Sequence, residues 1–304
     1  MIYTVTLNPA VDISIHVKKT LKPSGVNKST SVRTDPGGKG VNVSKTLKVL
    51  GRKSVICTAI CGDDGEAFLG MLKALGFEVI CVRYPVGNTR TNVKITGDDG
   101  VTTEINGTGP FYDKATVESL KTQIRERLVS GDIVVLSGSP PVGSPLNIYA
   151  GFIKSFQEVE GIKIILDASG RYLREGLSLK PYAVKPSSSE LGIENDPEIA
   201  MEEARNIIAQ GIERCVVSMG DKGAVYADGV IDALYSEALP VNVSSTMGCG
   251  DAMTAGLAYA ANEKLKPSDT FRLCMALAGA EAETEGTNPP QRKRVKELMK
   301  AMPR

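Results

Sequence analysis

The sequence predicts an α/β fold: a mostly parallel central sheet covered by helices on both faces, with a small second β-sheet serving as a lid. Three observations predict it. Short apolar runs alternate with helical periodicity through most of the 304 residues, the pattern of parallel strands buried on both faces. Two stretches, about 12–35 and 88–107, break that rhythm with period-two alternation and few good helix formers. No internal repeat and no low-complexity linker divides the chain, so residues 1–304 are expected to form one unit, with the lid assembled from those two separated stretches. The length is ample to bury a large core.

In chain order, the β-branched opening Ile2-Tyr-Thr-Val-Thr-Leu7 predicts a strand, and further apolar runs predict strands at 54–60, 78–82, 132–137, 162–167 and 213–218. Amphipathic spacing predicts helices at 41–50, 65–75, 114–129, 145–157, 198–210, 252–263, 268–284 and 291–301. In the second lid stretch, Arg90, Asn92 and Lys94 fall on one face and Thr91, Val93 and Ile95 on the other. The turn Gly97-Asp-Asp-Gly100 returns the chain into Val101–Asn106. A polar, partly cationic face on such a strand suits either ligand contacts or plain solvation.

Composition removes whole classes of function. Thirty-six basic against 35 acidic residues give a formal charge of +1, no footprint for nucleic acid or an anionic membrane. No run approaches the length of a membrane span, and the first residues carry no basic leader. The six cysteines form no C-x-x-C pair and sit in apolar or glycine-rich settings, as expected of reduced thiols in the cytoplasm. His16 is the single histidine. Ser-His-Asp catalysis, His-ligated zinc and histidine proton relays therefore have almost nothing to work with.

The most informative segment is Ser245-Thr-Met-Gly-Cys-Gly-Asp251, which runs into an apolar helix. A glycine turn feeding a helix N-terminus aims free amides and the positive end of the helix dipole at one point. An aspartate at that rim suits phosphoryl transfer, where a carboxylate accepts the proton of the attacking hydroxyl. The helix end is expected to hold Asp251 at low pKa, a weak base that takes the proton late. A glycine turn with an acidic cap explains the same letters.

Other constellations are weaker singly. Pro36-Gly-Gly-Lys-Gly40-Val-Asn42 precedes a helix, with Gly38 allowing close backbone approach, Lys39 a point charge and Asn42 a hydroxyl partner. It is not a Walker A loop, because Gly follows the lysine. Asp12, in Asn8-Pro-Ala-Val-Asp12, and the small polar residues of Ser137-Gly-Ser139 and Asp167-Ala-Ser follow strands, where ligands bind in parallel sheets. Lys185-Pro-Ser187-Ser-Ser-Glu190 could face a nucleotide phosphate and hold magnesium through water, or form a helix capping box. Ser218-Met-Gly220-Asp-Lys-Gly223 is a strand entering a glycine turn, suited to lie along a nucleotide or to turn a hairpin.

Together these segments resemble the ribokinase-like (PfkB) family of sugar kinases, over nearly the whole chain. Thr246-Met-Gly-Cys-Gly-Asp251 is similar to the family's Thr-Val-Gly-Ala-Gly-Asp signature. Asn8–Asp12, Thr89–Lys94 and Thr103–Gly107 look most like its 1-phosphofructokinase branch, with tagatose-6-phosphate kinases close behind. The resemblance implies a three-layer αβα core, a β-lid that mediates homodimers, and ATP- and Mg2+-dependent phosphorylation of a sugar phosphate. Fructose 1-phosphate leads, against tagatose 6-phosphate or fructose 6-phosphate; a non-catalytic sugar-phosphate sensor is the reading from a different class. It implies Asp251 as general base and the amides of Gly248, Cys249 and Gly250 as anion hole. Asp12, Gly38, Lys39, Asn42, Asn92, Ser137 and Ser139 become sugar-side residues, and Arg90 with Lys28 the clamp on the substrate's phosphate. Lys185, Ser187, Glu190, Ser218, Gly220, Gly223 and Thr246 follow the nucleotide, with Glu190 holding Mg2+ through water. Ser187 stands where the family usually has Asn, and Cys249 where it has Ala or Ser.

Overall fold

A computed structural model describes residues 1–302. Two sheets organise them. The larger has nine strands in the order β13-β12-β11-β10-β9-β8-β1-β4-β5: β1 (Ile2–Thr6), β4 (Val55–Ile60), β5 (Glu78–Arg83), β8 (Ile133–Ser137), β9 (Lys163–Asp167), β10 (Ala183–Val184), β11 (Arg214–Ser218), β12 (Ala224–Asp228) and β13 (Leu234–Ser236). All neighbours from β5 to β11 pair in parallel; only β12 and β13 are antiparallel. Each of the six core strands expected from sequence is present within a residue or so at its ends. The antiparallel edge begins at the turn Gly220–Gly223, where the hairpin reading of that segment is realised, while β13 had no signal of its own in the sequence.

Strand side chains alternate between two apolar layers, as the pleat requires. Tyr3, Val5, Val134, Leu136 and Val217 face a cluster containing Val117, Leu120, Phe152 and Ile207. Those belong to α3 (Lys114–Arg125), α4 (Ile148–Gln157) and α7 (Pro197–Ala209). Ile2, Ile133, Val135 and Val216 face the opposite layer with Val43, Leu47, Leu257 and Met275. That layer is built by α1 (Lys39–Val49), α8 (Cys249–Glu263) and α9 (Pro267–Ala282), while α2 (Gly62–Ala74) closes its far end. Short α5 (Gly170–Leu177) and α6 (Ser188–Leu191) follow β9 and β10, and α10 (Arg292–Ala301) packs on α9. The result is the three-layer αβα core. No helix is long and apolar enough to cross a membrane among the described residues.

The small sheet has the order β3-β2-β6-β7, from β2 (Ala10–Val17), β3 (Ser29–Gly37), β6 (Arg90–Gly97) and β7 (Thr102–Asn106). Register places Asp12 beside both Asp35 and Asn92, and Ile13 beside Thr34 and Val93. One face therefore carries Asp12, Asp35, Asn92 and Lys94. The other carries Ile13, Ile15, Val32, Val93, Ile95 and Ile105. Burial of Asp12, Asn92 and Lys94 shows that the polar face is covered, whereas Val32 and Ile105 are exposed.

Candidate active site

The C-terminal edge of the parallel sheet collects the chemistry. Leaving β1, the chain enters the small sheet and returns as α1, pairing onward to β4, while β8 lies on the other side of β1. Strand order thus reverses beside β1, which opens a crevice at that edge. Gly38 caps α1 with φ +119°, and a side chain at Gly40 would run into Thr6, so glycines let this helix lie directly on β1. Asn42 then reaches from the first turn of α1 to donate from Nδ2 to Asp251 Oδ2 at 2.8 Å.

Asp251 lies in the first turn of α8, behind Gly248 in the left-handed conformation (φ +81°). Both conditions for an amide hole are met: a turn only glycine adopts easily, and a fifteen-residue helix beginning at Cys249. The pKa expectation is corrected. Burial first, then the neighbouring Asp167 charge, push the Asp251 carboxyl up to about 6, outweighing Lys39, the Asn42 hydrogen bond and Lys185. Asp251 is therefore a better base than an ordinary aspartate, yet still ionised near neutral pH. Cys249, by contrast, has its thiol pushed up to about 12, mainly by burial, and stays protonated.

Asp167 is a strand-end residue to which sequence reasoning gave no role of its own. It ends β9, is fully buried, and has Lys39 Nζ at 3.4 Å and Lys185 Nζ at 3.5 Å, both on Oδ1. Its Oδ2 accepts from Ser137 Oγ at 3.3 Å and Thr254 Oγ1 at 3.1 Å. Against the cost of burial, Lys185 and Lys39 keep its pKa below the usual carboxylate value. Asp167 in turn is the main reason that the Lys39 pKa is raised. This carboxylate fixes two ammonium groups, of which Lys185 lies beside the hole: its Nζ would be 3.2 Å from a Cβ built on Gly250. Only a strand-end acid signalled it in the sequence, since its four partners come from four distant segments.

Several expected residues are placed differently from their expected roles. Lys39 was assigned to the sugar; its ammonium instead stands between Asp167 and Glu190, 3.7 Å from the latter's Oε1. Ser137 is wholly buried and supports Asp167, so it does not line the cleft surface, while Ser139 is exposed two residues further on. Lys28 is exposed just before β3, at the end of the small sheet remote from Arg90 of the same chain. Eight residues of strand separate their register positions, roughly 25 Å. Arg90 is half-buried, its Nε donating to the Asn8 carbonyl at 3.2 Å. Asp12 Oδ1 accepts from Asn92 Nδ2 at 2.8 Å, with Lys94 Nζ 3.9 Å from its Oδ2. A Cβ at Gly37 would occupy the space of that carboxylate. The side-chain carbonyl oxygens of Asn8, Asn42 and Asn92 are buried without partners, acceptors of the kind that hydroxyl groups satisfy.

On the other side of α8 lies a cleft of about 880 Å³. Ser187, Ser218, Gly220, Gly223, Thr246, Cys249 and Gly250 line it, together with an apolar wall of Leu239, Val241, Met253, Met275 and Ala278 that was not foreseen. Gly220 and Gly223 have positive φ, and a side chain at Gly223 would collide with the backbone of Ser236 and Glu237. The glycines thus both turn the β11–β12 hairpin and form one wall of the cleft. Lys185 and Glu190 sit at its edge. Ser187 and Glu190 form a complete capping box: Ser187 N donates to Glu190 Oε2 at 2.8 Å, and Glu190 N to Ser187 Oγ at 3.2 Å. Among the described residues no three acids, histidines or cysteines cluster as direct metal ligands.

The fold and this two-sided cleft define a small-molecule phosphotransferase. The chain belongs to the pfkB family of carbohydrate kinases, whose model matches residues 5–294. Its acceptor is accordingly an alcohol group. The 1-phosphofructokinase of Bacillus subtilis (strain 168) is 34% identical over 94% of this chain and 93% of its own length. That of Rhodobacter capsulatus is 35% identical over 95% and 93%. The phosphofructokinase-2 of Escherichia coli, solved in complex with substrates and products, superimposes with a TM-score of 0.91 at 27% identity, covering 100% of this chain and 99% of that one.

Proposed function

We propose that this protein transfers the γ-phosphoryl group of ATP to the free primary hydroxyl of fructose 1-phosphate, giving fructose 1,6-bisphosphate. The observation that carries the reading is the Asn42–Asp251 bond of 2.8 Å. It ties α1, which follows the lid strand β3, to α8, which begins at the amide hole, and this supports Asp251 as the base acting between the sugar side and the nucleotide side. The relatives named 1-phosphofructokinase support the choice of acceptor.

Nucleotide binds in the large cleft, its base against Leu239, Val241 and Met275, its phosphates running past Ser218 and Thr246 to the amides of Gly248, Cys249 and Gly250. Those amides and the α8 dipole stabilise charge on the transferring group. Lys39 and Lys185, oriented by Asp167, add two point charges. Mg2+ on the nucleotide phosphates supplies further neutralisation, and Glu190 would hold it through water. Asp251 accepts the proton of the acceptor hydroxyl as the bond to phosphorus forms. Asp12, Gly38, Asn42 and Asn92 orient the sugar, and Arg90 holds its existing phosphate.

Residues 1–304 act as one kinase unit in the cytoplasm, with the small sheet as lid. Two copies pair through the apolar lid face, where Val32 and Ile105 are 59% and 60% exposed. The deciding experiment measures kcat/KM for fructose 1-phosphate, fructose 6-phosphate and tagatose 6-phosphate side by side. Fructose 1-phosphate is expected to lead by at least tenfold. A lead for either 6-phosphate reassigns the acceptor, and ATP turnover with none of the three favours a sensor.

A further inference from the structure

Glu281 occupies a position that neither stability nor the mechanism above accounts for. It lies in the last turn of α9, where the helix dipole disfavours a negative charge. It is 2% exposed, and its Oε2 has no hydrogen-bond partner. Its Oε1 fills the space that a side chain on Gly248 would need, so the carboxyl lies against the first residue of the amide hole. Gly248 thus has two reasons to be glycine: its left-handed backbone, and the carboxyl packed against it.

The charged groups around Glu281 oppose its ionisation on balance. From α8 it faces Asp251, with the protonated Cys249 beside it; from α1 it faces Lys45. Lys45 is itself buried, which lowers its own pKa; Asp35 and Asp12 of the lid attract its charge and Arg33 of the lid repels it. Burial, then Asp251, push Glu281 up to about 8 against the pull of Lys45. At neutral pH the group is a carboxylic acid. A buried acid that must keep its proton costs stability, and such costs concentrate at functional sites.

We propose that Glu281 is a positioning residue of the transfer site: uncharged, it braces Gly248 and holds the hole open to the phosphoryl group, and ionised, it repels that group. The proposal rests on the amide hole at Gly248–Gly250 being where phosphate binds. Its signature is an alkaline limb. With the ionised form inactive, kcat/KM for ATP falls about tenfold between pH 7 and pH 9 in the free enzyme. The limb in kcat lies at higher pH, because bound phosphate makes the proton harder to remove.

The test is the pH profile of the whole enzyme, its Glu281→Gln and Glu281→Ala variants, and Asp251→Asn as reference. Glu281→Gln, a neutral isostere, is expected to flatten the alkaline limb. Glu281→Ala, which removes the brace, lowers kcat at neutral pH, and Gln recovers most of that loss. An infrared titration of the unmodified protein supplies a readout independent of any variant's folding. A protonated-carboxyl C=O band present at pH 7 should disappear with a midpoint near pH 8. A Gln profile that keeps the wild-type limb, or no such band at pH 7, overturns the proposal. If Asp251→Asn keeps its activity, the underlying reading fails instead.

Discussion

Replacing Asp167 by Asn should separate the electrostatic frame of this site from its catalytic group. Asp167 is fully buried between Lys39 and Lys185. The amide keeps shape and can still accept from Ser137 and Thr254, but leaves Lys185 without its carboxylate and Lys39 with only Glu190, 3.7 Å away. Removing one partner of a buried ion pair costs about 3–5 kcal/mol. An unfolding entropy of about 2.1 cal/mol/K per residue over 304 residues converts that to a fall in Tm of about 5–8 °C. The substitution also removes the charge that raises Asp251 while leaving the lysines that lower it. The acid limb of kcat/KM, set by an Asp251 group at about 6, should therefore move to lower pH by on the order of one unit. Calorimetry and a pH-rate profile between pH 4.5 and 8 measure the two effects on one sample. An unchanged Tm, or a limb that stays or moves upward, would refute the coupling of Asp167 to Lys39, Lys185 and Asp251.

Two further substitutions test the flanks of the cleft. Arg90→Ala should raise KM for the sugar phosphate far more than KM for ATP, by roughly 1.5–3 kcal/mol in binding for one lost charge-assisted contact; steady-state kinetics with each substrate varied in turn would show the reverse pattern if Arg90 served the nucleotide. Ser187→Ala should lower stability by about 1 kcal/mol through loss of the α6 cap, and Ser187→Asn should restore it. Equal denaturant midpoints for Ser, Ala and Asn would show that the capping box contributes nothing.

Much of the fold was legible because parallel strands buried on both faces need continuous apolar runs, and Ile133–Leu136 or Ile164–Leu166 allow little else. The lid was legible from alternation alone, since Asn92 and Lys94 against Val93 and Ile95 leave one polar and one apolar face. What escaped was everything set by contact between distant segments. Asp167 is an ordinary strand-end acid until α1, β8, β10 and α8 bring Lys39, Ser137, Lys185 and Thr254 to it. Burial first, and then the same carboxylate, reversed the expected pKa of Asp251: a helix end acts locally, but desolvation and a like charge from β9 outweigh it. Lys28 joined Arg90 only through the family resemblance, and the register of β2 and β3 puts the two at opposite ends of the lid within one chain. Ser187 and Glu190 fitted both a cap and a metal site in the sequence, and the backbone of α6 shows that the cap is made.

The central claim is that Asp251 removes the acceptor proton above the amide hole, and Asp251→Asn tests it most directly. Raised from 3.8 to about 6 on folding, this acid costs stability once the pH exceeds its unfolded value, fully so above pH 6. At pH 7.5 the amide should therefore stabilise the fold by up to about 3 kcal/mol. A higher Tm would show that any lost activity is not lost structure. Rapid-quench measurement of a single turnover, with ATP and fructose 1-phosphate both saturating, then reads the chemical step itself. The account predicts a more stable protein that binds both substrates and transfers phosphate at least about a hundredfold more slowly. Transfer within a few fold of the wild-type rate would contradict it.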